Sequence, residues 1–182
     1  MSRIEKFLLK FIDIFNLDRR VVSREDGEKY LTRYYIFRKP LKWMPSIYIH
    51  CFHNGDPDLE LHDHPWSKSV SFILDGSYLE EKRYEIDHPL VPIIHDLGEN
   101  YKYFEADLGP RYNVNVRKLS PGNINYIRGT DFHRVQLLTP KVWTLFISGP
   151  KIKDWGFWDR QTGKYTGQEE FLNRKVATIN NT

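Results

Sequence analysis

The sequence predicts an all-β fold, a barrel or sandwich of short strands that is preceded by one helix. β-branched and aromatic residues become dense after about Val21, and glycine or proline recurs at short intervals from there on. About ten short strands separated by turn signals are typical of closed or stacked antiparallel sheets. A chain of 182 residues with 40% hydrophobic content is long enough for one domain with a substantial core.

Residues 1–20 are predicted to form an amphipathic α-helix. The apolar residues that follow helical spacing are Ile4, Phe7, Leu8, Phe11, Ile12 and Phe15. A position on an anionic membrane surface would be favoured by the basic residues Lys6, Lys10, Arg19 and Arg20. The acidic residues that dilute this charge are Glu5, Asp13 and Asp18. We therefore expect the helix to pack on the barrel or on a partner chain, and it would suit a homodimer interface.

The barrel is predicted to span residues 21–160, and a tail with a short helix near residues 169–173 follows over 161–182. Its strands are bounded by turn signals rich in glycine, proline and asparagine. The predicted strands are Tyr30–Arg38, Ser46–His53, Glu60–Trp66, Ser69–Leu74, Ser77–Ile86, Tyr101–Ala106, Asn115–Lys118, Asn123–Ile127, His133–Leu137 and Trp143–Ser148. Residues 87–111 form the least regular segment, which we interpret as an extended hairpin or lid.

Composition excludes several classes of protein. The 27 Lys and Arg residues against 24 Asp and Glu residues leave a net charge of only +3, so the sequence carries no strong nucleic-acid signal. Cys51 is the single cysteine, which excludes an intramolecular disulfide and fits a reducing compartment. No apolar run reaches the ~18 residues of a membrane span, and the N-terminus does not resemble a secretory signal. The protein is therefore expected to be cytoplasmic.

A histidine pattern suggests a metal site. His62 and His64 are two residues apart in a predicted strand, so their imidazoles point to the same face, and His133 could supply a third nitrogen. Three nitrogen donors around a divalent metal leave coordination positions open, as catalytic sites require. His50 and His53 precede this strand and could hydrogen-bond a ligand, whereas we assign no role to the two other histidines, His88 and His95.

These motifs resemble those of the cupin superfamily. His62-x-His64 followed by Gly76 is similar to the first cupin motif, and Pro121-Gly122 with His133 is similar to the second. The segment Leu61–Trp66 also resembles a group of cupin-like proteins from bacteria and their phages. The resemblance covers roughly Tyr30 to Trp158, and it implies a double-stranded β-helix, or jelly-roll, barrel.

The resemblance also implies a ligand set of three neutral histidines, because Ser69 stands where many cupins carry a glutamate ligand. Such a site resembles the three-histidine iron centres of cupin dioxygenases, so Fe(II) is the favoured cofactor, with Zn, Mn or Ni as alternatives. Glu60 would share the strand face of His62 and His64, where it could supply a carboxylate or cap the barrel mouth.

The function that this resemblance favours is a three-histidine Fe(II) dioxygenase or oxygenase that acts on a small molecule. The candidate substrate contacts are Trp66, Ser69, Ser71, Tyr126, Arg128 and Arg134. Three alternatives remain open: a metal-dependent isomerase or lyase, a non-catalytic cupin that binds a small ligand, and a metal-free epimerase. In the last of these, His62 would be the general base and Tyr126 the acid.

Overall fold

The structure is a computed structural model, and it describes residues 1–24, 27–37, 44–57, 59–84, 113–160 and 162–179. The predicted strand Tyr101–Ala106, the predicted hairpin or lid over 87–111, and His88 and His95 lie outside the described residues.

The described part of the chain forms two helices and twelve strands. The helices are α1 (Arg3–Ile14) and α2 (Gln168–Ile179). The strands are β1 (Arg19–Ser23), β2 (Lys29–Tyr35), β3 (Ser46–Phe52), β4 (Leu61–His62), β5 (Lys68–Asp75), β6 (Tyr78–Tyr84), β7 (Asn113–Leu119), β8 (Ile124–Arg128), β9 (His133–Leu137), β10 (Val142–Ser148), β11 (Gly156–Trp158) and β12 (Tyr165–Gly167).

The strands form two antiparallel six-stranded sheets. Sheet A has the order β1-β2-β3-β10-β5-β8, and sheet B has the order β12-β11-β4-β9-β6-β7. From β3 to β10, each strand lies in the other sheet from the strand before it, except that β6 and β7 are both in sheet B. The resulting orders are β3-β10-β5-β8 in sheet A and β4-β9-β6-β7 in sheet B. This is the strand order of a jelly roll, which confirms the predicted all-β double-stranded β-helix with an N-terminal helix.

The chain crosses from sheet A to sheet B through a tight turn between β5 and β6. Gly76 occupies this turn with a φ of 77°, in the left-handed region that favours glycine. A Cβ atom at this position would lie 2.2 Å from the carbonyl oxygen of Lys141. The glycine that follows the histidine pair in the sequence is therefore required by close backbone packing.

Two apolar clusters lie on opposite faces of sheet A. The inner cluster, between the sheets, contains the buried residues Ile73, Tyr78, Leu119, Val135 and Val142. The outer cluster lies under α1 and contains the buried residues Leu8, Tyr34, Ile49, Cys51 and Trp143. The inner cluster fills one end of the barrel and leaves the other end to the polar side chains described below.

Helix α1 packs on the outer face of sheet A, as one of the sequence interpretations expected. Ser2 caps its N-terminus by accepting a 2.9 Å hydrogen bond from the backbone N–H of Glu5, and its hydroxyl donates to Asp75 at 2.5 Å. Glu5 forms an ion pair with Lys141 at 2.8 Å, and Leu8 is buried in the outer cluster. Neither described helix has the length and apolar run that a membrane span requires.

The largest differences from the predicted strands occur near the ends of the chain and at the histidine pair. Strands β1, β11 and β12 were not predicted. Strand β1 begins at Arg19, inside the segment 1–20 that was predicted as helix, because α1 ends at Ile14, and β11 and β12 are only three residues long. Within the predicted strand Glu60–Trp66, only Leu61 and His62 form a strand, and Trp66 forms an isolated bridge with Lys151. The premise that regular alternation positions His62 and His64 therefore does not hold, although both rings reach the same site.

Candidate metal centre

Three histidines meet between the sheets at the polar end of the barrel. The candidate ligand atoms of His62, His64 and His133 all lie within 4.8 Å of one another. The closest pair is His64 Nε2 and His133 Nε2, which are 2.7 Å apart. The three imidazoles therefore converge on one point, as the sequence pattern indicated.

Strand pairing in sheet B brings two of the three histidines together. His62 in β4 lies directly opposite His133, the first residue of β9. On its other side His62 pairs with Phe157 of β11. Because cross-strand partners project to the same face, both imidazoles point into the barrel.

His64 lies beyond the end of β4, where it is positioned by contacts of its neighbours. The buried carboxylate of Asp63 accepts a 2.8 Å hydrogen bond from the backbone N–H of Gly156 and another from Lys153 Nζ. From the opposite side, Gly129 packs so closely that an added Cβ would lie 2.2 Å from the carbonyl oxygen of Trp66. These contacts hold the chain around His64 without a regular strand.

A buried carboxylate orients His133. Glu80 in β6 is only 1% exposed, and its Oε1 lies 2.8 Å from His133 Nδ1. Burial alone would raise the pKa of Glu80, but the hydrogen bond and charge of His133, the hydrogen bond from Asn125 and the charge of Arg117 outweigh it and lower that pKa to about 2. The carboxylate is therefore ionised and only accepts hydrogen bonds. His133 Nδ1 therefore carries the hydrogen of this bond, and in the neutral tautomer the lone pair is on Nε2.

Glu80 is itself part of a network that links the two sheets. Asn125 of β8 donates to Glu80 Oε1 at 2.6 Å, and Arg117 of β7 lies 3.3 Å from Glu80 Oε2. Arg117 also donates to Asn125 Oδ1 at 2.7 Å, and Asn125 Nδ2 lies 3.3 Å from the hydroxyl of Tyr78. Such a satisfied network fixes the carboxylate, and through it the ring of His133.

A second carboxylate faces His62. Asp56 Oδ2 lies 3.7 Å from His62 Nδ1, and the Asp56 side chain is 7% exposed. The same carboxylate accepts hydrogen bonds from the Tyr30 hydroxyl at 2.5 Å and from the Val135 backbone N–H at 2.6 Å. Because Nδ1 of His62 faces Asp56, Nε2 is the nitrogen on the side of the ring away from that carboxylate.

His64 is neutral because the barrel interior desolvates its ring. Burial, with smaller contributions from the charges of His133, His62 and Arg33, holds the pKa of His64 well below its usual value. Its ring stacks on Trp66, with centroids 5.6 Å apart and planes inclined by 23°. The imidazole is thus neutral near pH 7 and keeps a lone pair, as a metal ligand must.

The donor set fits a divalent metal. Metal–imidazole bonds are about 2.1 Å long, so two nitrogens at adjacent positions of an octahedron lie about 3 Å apart. The observed separations, from 2.7 Å to at most 4.8 Å, bracket that distance. Carboxylate partners on the outer nitrogens of metal-binding histidines are usual, and Glu80 and Asp56 occupy those positions at His133 and His62.

The inner face of sheet A forms the opposite side of this site. Ser71 pairs with Asn125 across the sheet, and Ser69 pairs with Ile127, so both serines face the barrel interior and are buried. Trp66 stacks on His64, and Ser69 and Ser71 face the same interior, so their contact with a substrate stays a prediction. The Ser69 hydroxyl has no hydrogen-bond partner among the described residues.

His50 also faces the interior, from β3. Its ring is 3% exposed, stacks on Phe146 with a centroid distance of 4.8 Å, and accepts a 3.0 Å hydrogen bond from Arg33 Nε. Burial and the charge of Arg33 hold the pKa of His50 well below its usual value. No contact of His50 with His62, His64 or His133 is present among the described residues.

The structure does not bring the remaining candidate residues to the histidines. Tyr126 and Arg128 are exposed on the outer face of β8, because the residues that face inwards are Asn125 and Ile127. Arg134 follows His133 and points to the opposite face of β9, where it bonds Glu81 at 3.0 Å.

Two further candidates are not brought to the three imidazoles by strand pairing. His53 bonds the hydroxyl of Thr32 at 2.8 Å on the outer side of sheet A. Glu60 precedes the two-residue strand β4, so strand alternation does not place it beside His62.

Sequence reasoning missed the acidic and amide residues around the site. Glu80 and Glu81 are adjacent in one predicted strand, so one of them had to face inwards, but the sequence alone could not indicate which. Asp56 lies in Asn54-Gly55-Asp56-Pro57, a sequence that is typical of a turn and does not indicate a site residue. Asn125 and Arg117 carry no motif, and their roles depend on pairing between distant strands.

The fold is similar to that of several solved structures. Hydroxypropylphosphonic acid epoxidase from S. wedmorenis is 10% identical with a TM-score of 0.45, and the alignment covers 72% of this chain and 55% of the epoxidase. HEPD from Streptomyces albus, solved with 2-hydroxyethylphosphonate and Fe(II) bound, is 12% identical with a TM-score of 0.47, over 74% of this chain and 24% of HEPD. An RmlC-like cupin protein from Ralstonia eutropha is 12% identical with a TM-score of 0.42, over 91% of this chain and 84% of that protein.

These similarities concern the fold alone. The chain spans about half the length of the epoxidase and about a quarter of HEPD. No family model matches the sequence, and no curated protein matches it. The evidence for function therefore lies in the three histidines and the side chains around them.

Proposed function

We propose that the protein is a metal-dependent cupin in which His62, His64 and His133 bind Fe(II), and that it oxygenates a small molecule. The observation that carries the proposal is the convergence of three imidazole nitrogens within 4.8 Å, with a buried carboxylate on the outer nitrogen of His133. Three neutral ligands would leave Fe(II) its full charge and about three open positions, at which substrate and O2 can be activated together.

The side chains around the histidines have definite tasks in this proposal. Glu80 keeps the proton of His133 on Nδ1, so that Nε2 is free to bind the metal. The rings of Trp66 and Phe146, 5.4 Å apart, exclude water from one side of the site. Ser69 and Ser71 are the hydroxyl groups of sheet A that can contact a bound substrate.

Elemental analysis of anaerobically purified protein tests the metal site. Wild type is compared with His64→Ala and His133→Ala, and with His53→Ala as a matched histidine control, because His53 lies on the outer side of sheet A. We expect near-stoichiometric iron in the wild type and in the control, and loss of metal in the two site variants. Equal metal contents in all four proteins would refute the three-histidine site.

Metal identity and oxygen consumption then test the reaction. Iron-dependent O2 uptake in the presence of a substrate supports oxygenation, whereas activity with zinc, manganese or nickel indicates Lewis-acid isomerase or lyase chemistry. If wild type binds no metal even after reconstitution with iron, zinc and manganese, the protein is instead a metal-free ligand-binding or epimerase-like barrel.

A further inference from the structure

Arg33 is a half-buried cation on the inner face of sheet A. It lies opposite His50 in the strand register, so both project to the same face, and its Nε donates to His50 Nε2 at 3.0 Å. Its guanidinium lies 4.7 Å from the centroid of the Tyr48 ring and 5.9 Å from that of Trp66. Since Trp66 stacks on His64, one indole ring connects the guanidinium to the candidate metal ligand.

No carboxylate of the described residues neutralises Arg33. Three other cations near the site have acidic partners, namely Glu80 for Arg117, Asp131 for Lys82 and Asp63 for Lys153. Only Nε of Arg33 is occupied within the described ranges, which leaves both Nη groups of the planar fork available.

A second arginine adds to the local positive charge. Arg20 of the edge strand β1 lies directly opposite Arg33, so the two guanidinium groups project from the same face of sheet A. Like charges in this arrangement repel each other, and an anion bound between or beside them would relieve the repulsion.

Arg33, His50 and Thr144 form a row across sheet A, each opposite the next on neighbouring strands. The last two are buried polar residues, and each has an atom without a hydrogen-bond partner among the described residues. His50 accepts at Nε2, so its neutral ring carries hydrogen on Nδ1, and that buried nitrogen has no acceptor among the described residues. Thr144 lies opposite His50 on β10, is fully buried, and has an unpartnered hydroxyl. Buried polar groups are rarely left unpaired, so this row lacks an acceptor.

We infer that this row of Arg33, His50 and Thr144 binds the anionic end of the substrate, and that the substrate is a small organic oxyanion, a carboxylate or a phosphonate. A guanidinium fork matches the geometry of both groups and is desolvated here by Tyr48 and Trp66. This inference rests on the proposed function for the role of the ligand as substrate, but the oxyanion site itself does not require a metal.

The test uses three probes that share a three-methylene spacer between the hydroxyl and the end group: 4-hydroxybutyrate, 3-hydroxypropylphosphonate and the neutral 4-hydroxybutyramide. Binding is measured by calorimetry on metal-free protein and on protein loaded with Co(II). The wild type should bind at least one of the two acids, and at least about 10-fold more tightly than the amide. The acid that binds more tightly identifies the carboxylate or the phosphonate as the preferred group.

Arg33→Gln and Arg33→Lys are compared with Arg19→Gln, which removes the same charge from the opposite face of β1, one residue from Arg20. Arg33→Gln should weaken binding of the preferred acid by about 10- to 100-fold, and Arg19→Gln by less than about 2-fold. Should Arg33→Gln fail to fold, Arg33→Lys carries the test, because it keeps the charge but loses the fork, and weaker acid binding with unchanged metal content is then expected.

The outcomes separate this inference from the metal proposal. Loss of metal binding with retained, Arg33-dependent acid binding would overturn the Fe(II) proposal and leave the oxyanion site standing. Equal affinity for acid and amide, equal effects of the Arg33 and Arg19 variants, or no acid binding at tens of millimolar would overturn the oxyanion site whatever the metal content.

Discussion

Glu80 determines which nitrogen of His133 faces the other histidines. Its carboxylate is held ionised inside the barrel, so it can only accept from His133 Nδ1, and the ring cannot rotate without breaking that bond. Asn125 and Arg117 hold the carboxylate from sheet A and from β7. The ligand atom is thus preorganised before any metal binds, which lowers the cost of binding it.

Replacing Glu80 with Gln should weaken metal binding by about 10- to 100-fold, because an uncharged amide no longer enforces the Nδ1–H tautomer or increases the basicity of Nε2. Competition with a chromophoric chelator measures the change. Glu81→Gln is the matched control, because Glu81 is the next residue on β6, faces the opposite side and pairs with Arg134 and Arg160. Equal affinities of the two variants would show that Glu80 has only a structural role.

At this scale the sequence predicted the three histidines but not the residues that orient them. A His-x-His pair and a third histidine are visible as a pattern, whereas Glu80 differs from Glu81 only in the direction that its side chain takes. A one-residue error in register also explains Tyr126 and Arg128, which were predicted to face the substrate and instead lie on the outer face of β8.

Two elements attach the site to the rest of the fold. The chain leaves strand β4 after His62, and Asp63 ties the segment that follows to β11 by accepting from the backbone N–H of Gly156. Helix α1 covers the outer face of sheet A, directly behind the strands that carry His50 and Thr144. The helix therefore supports the sheet that forms one side of the site.

The docking of α1 predicts a contrast between two neighbouring leucines. Leu8 is buried in the outer cluster, so Leu8→Ala should lower the free energy of unfolding by about 2–4 kcal/mol through lost burial and the cavity that remains. Leu9 is 38% exposed, so Leu9→Ala should cost less than about 1 kcal/mol. Urea unfolding measures both, and equal losses would mean that the helix does not dock in this orientation.

Helix α1 and most of the central strands could be predicted because each carries its own periodicity. The short strands β11 and β12 could not, since three residues hold no repeat and their pairing is determined by distant partners such as His62 and Leu61. The tail beyond residue 160 was predicted to contain a helix, and α2 extends over Gln168–Ile179, a longer span than the predicted one.

In the whole molecule, the jelly-roll connections bring distant parts of the chain to one site. His62 and His133 are adjacent across β4 and β9, although His133 lies 71 positions after His62 in the sequence. Glu80 and Asn125 join the two sheets through one 2.6 Å hydrogen bond. The ligand set therefore exists only when the barrel is closed, and the unfolded chain offers no preformed site.

Metal binding should accordingly stabilise the whole barrel. A ligand that binds only the folded state at 100 times its Kd adds about 2.7 kcal/mol to the free energy of unfolding, which for a chain of this length raises Tm by about 5–10 °C. Scanning calorimetry with and without Fe(II) under anaerobic conditions measures the shift. His53→Ala should keep it and His64→Ala should lose it, because only the second variant removes a converging nitrogen. An equal shift in both variants would mean that the metal binds elsewhere, and the site of three histidines would then be structural.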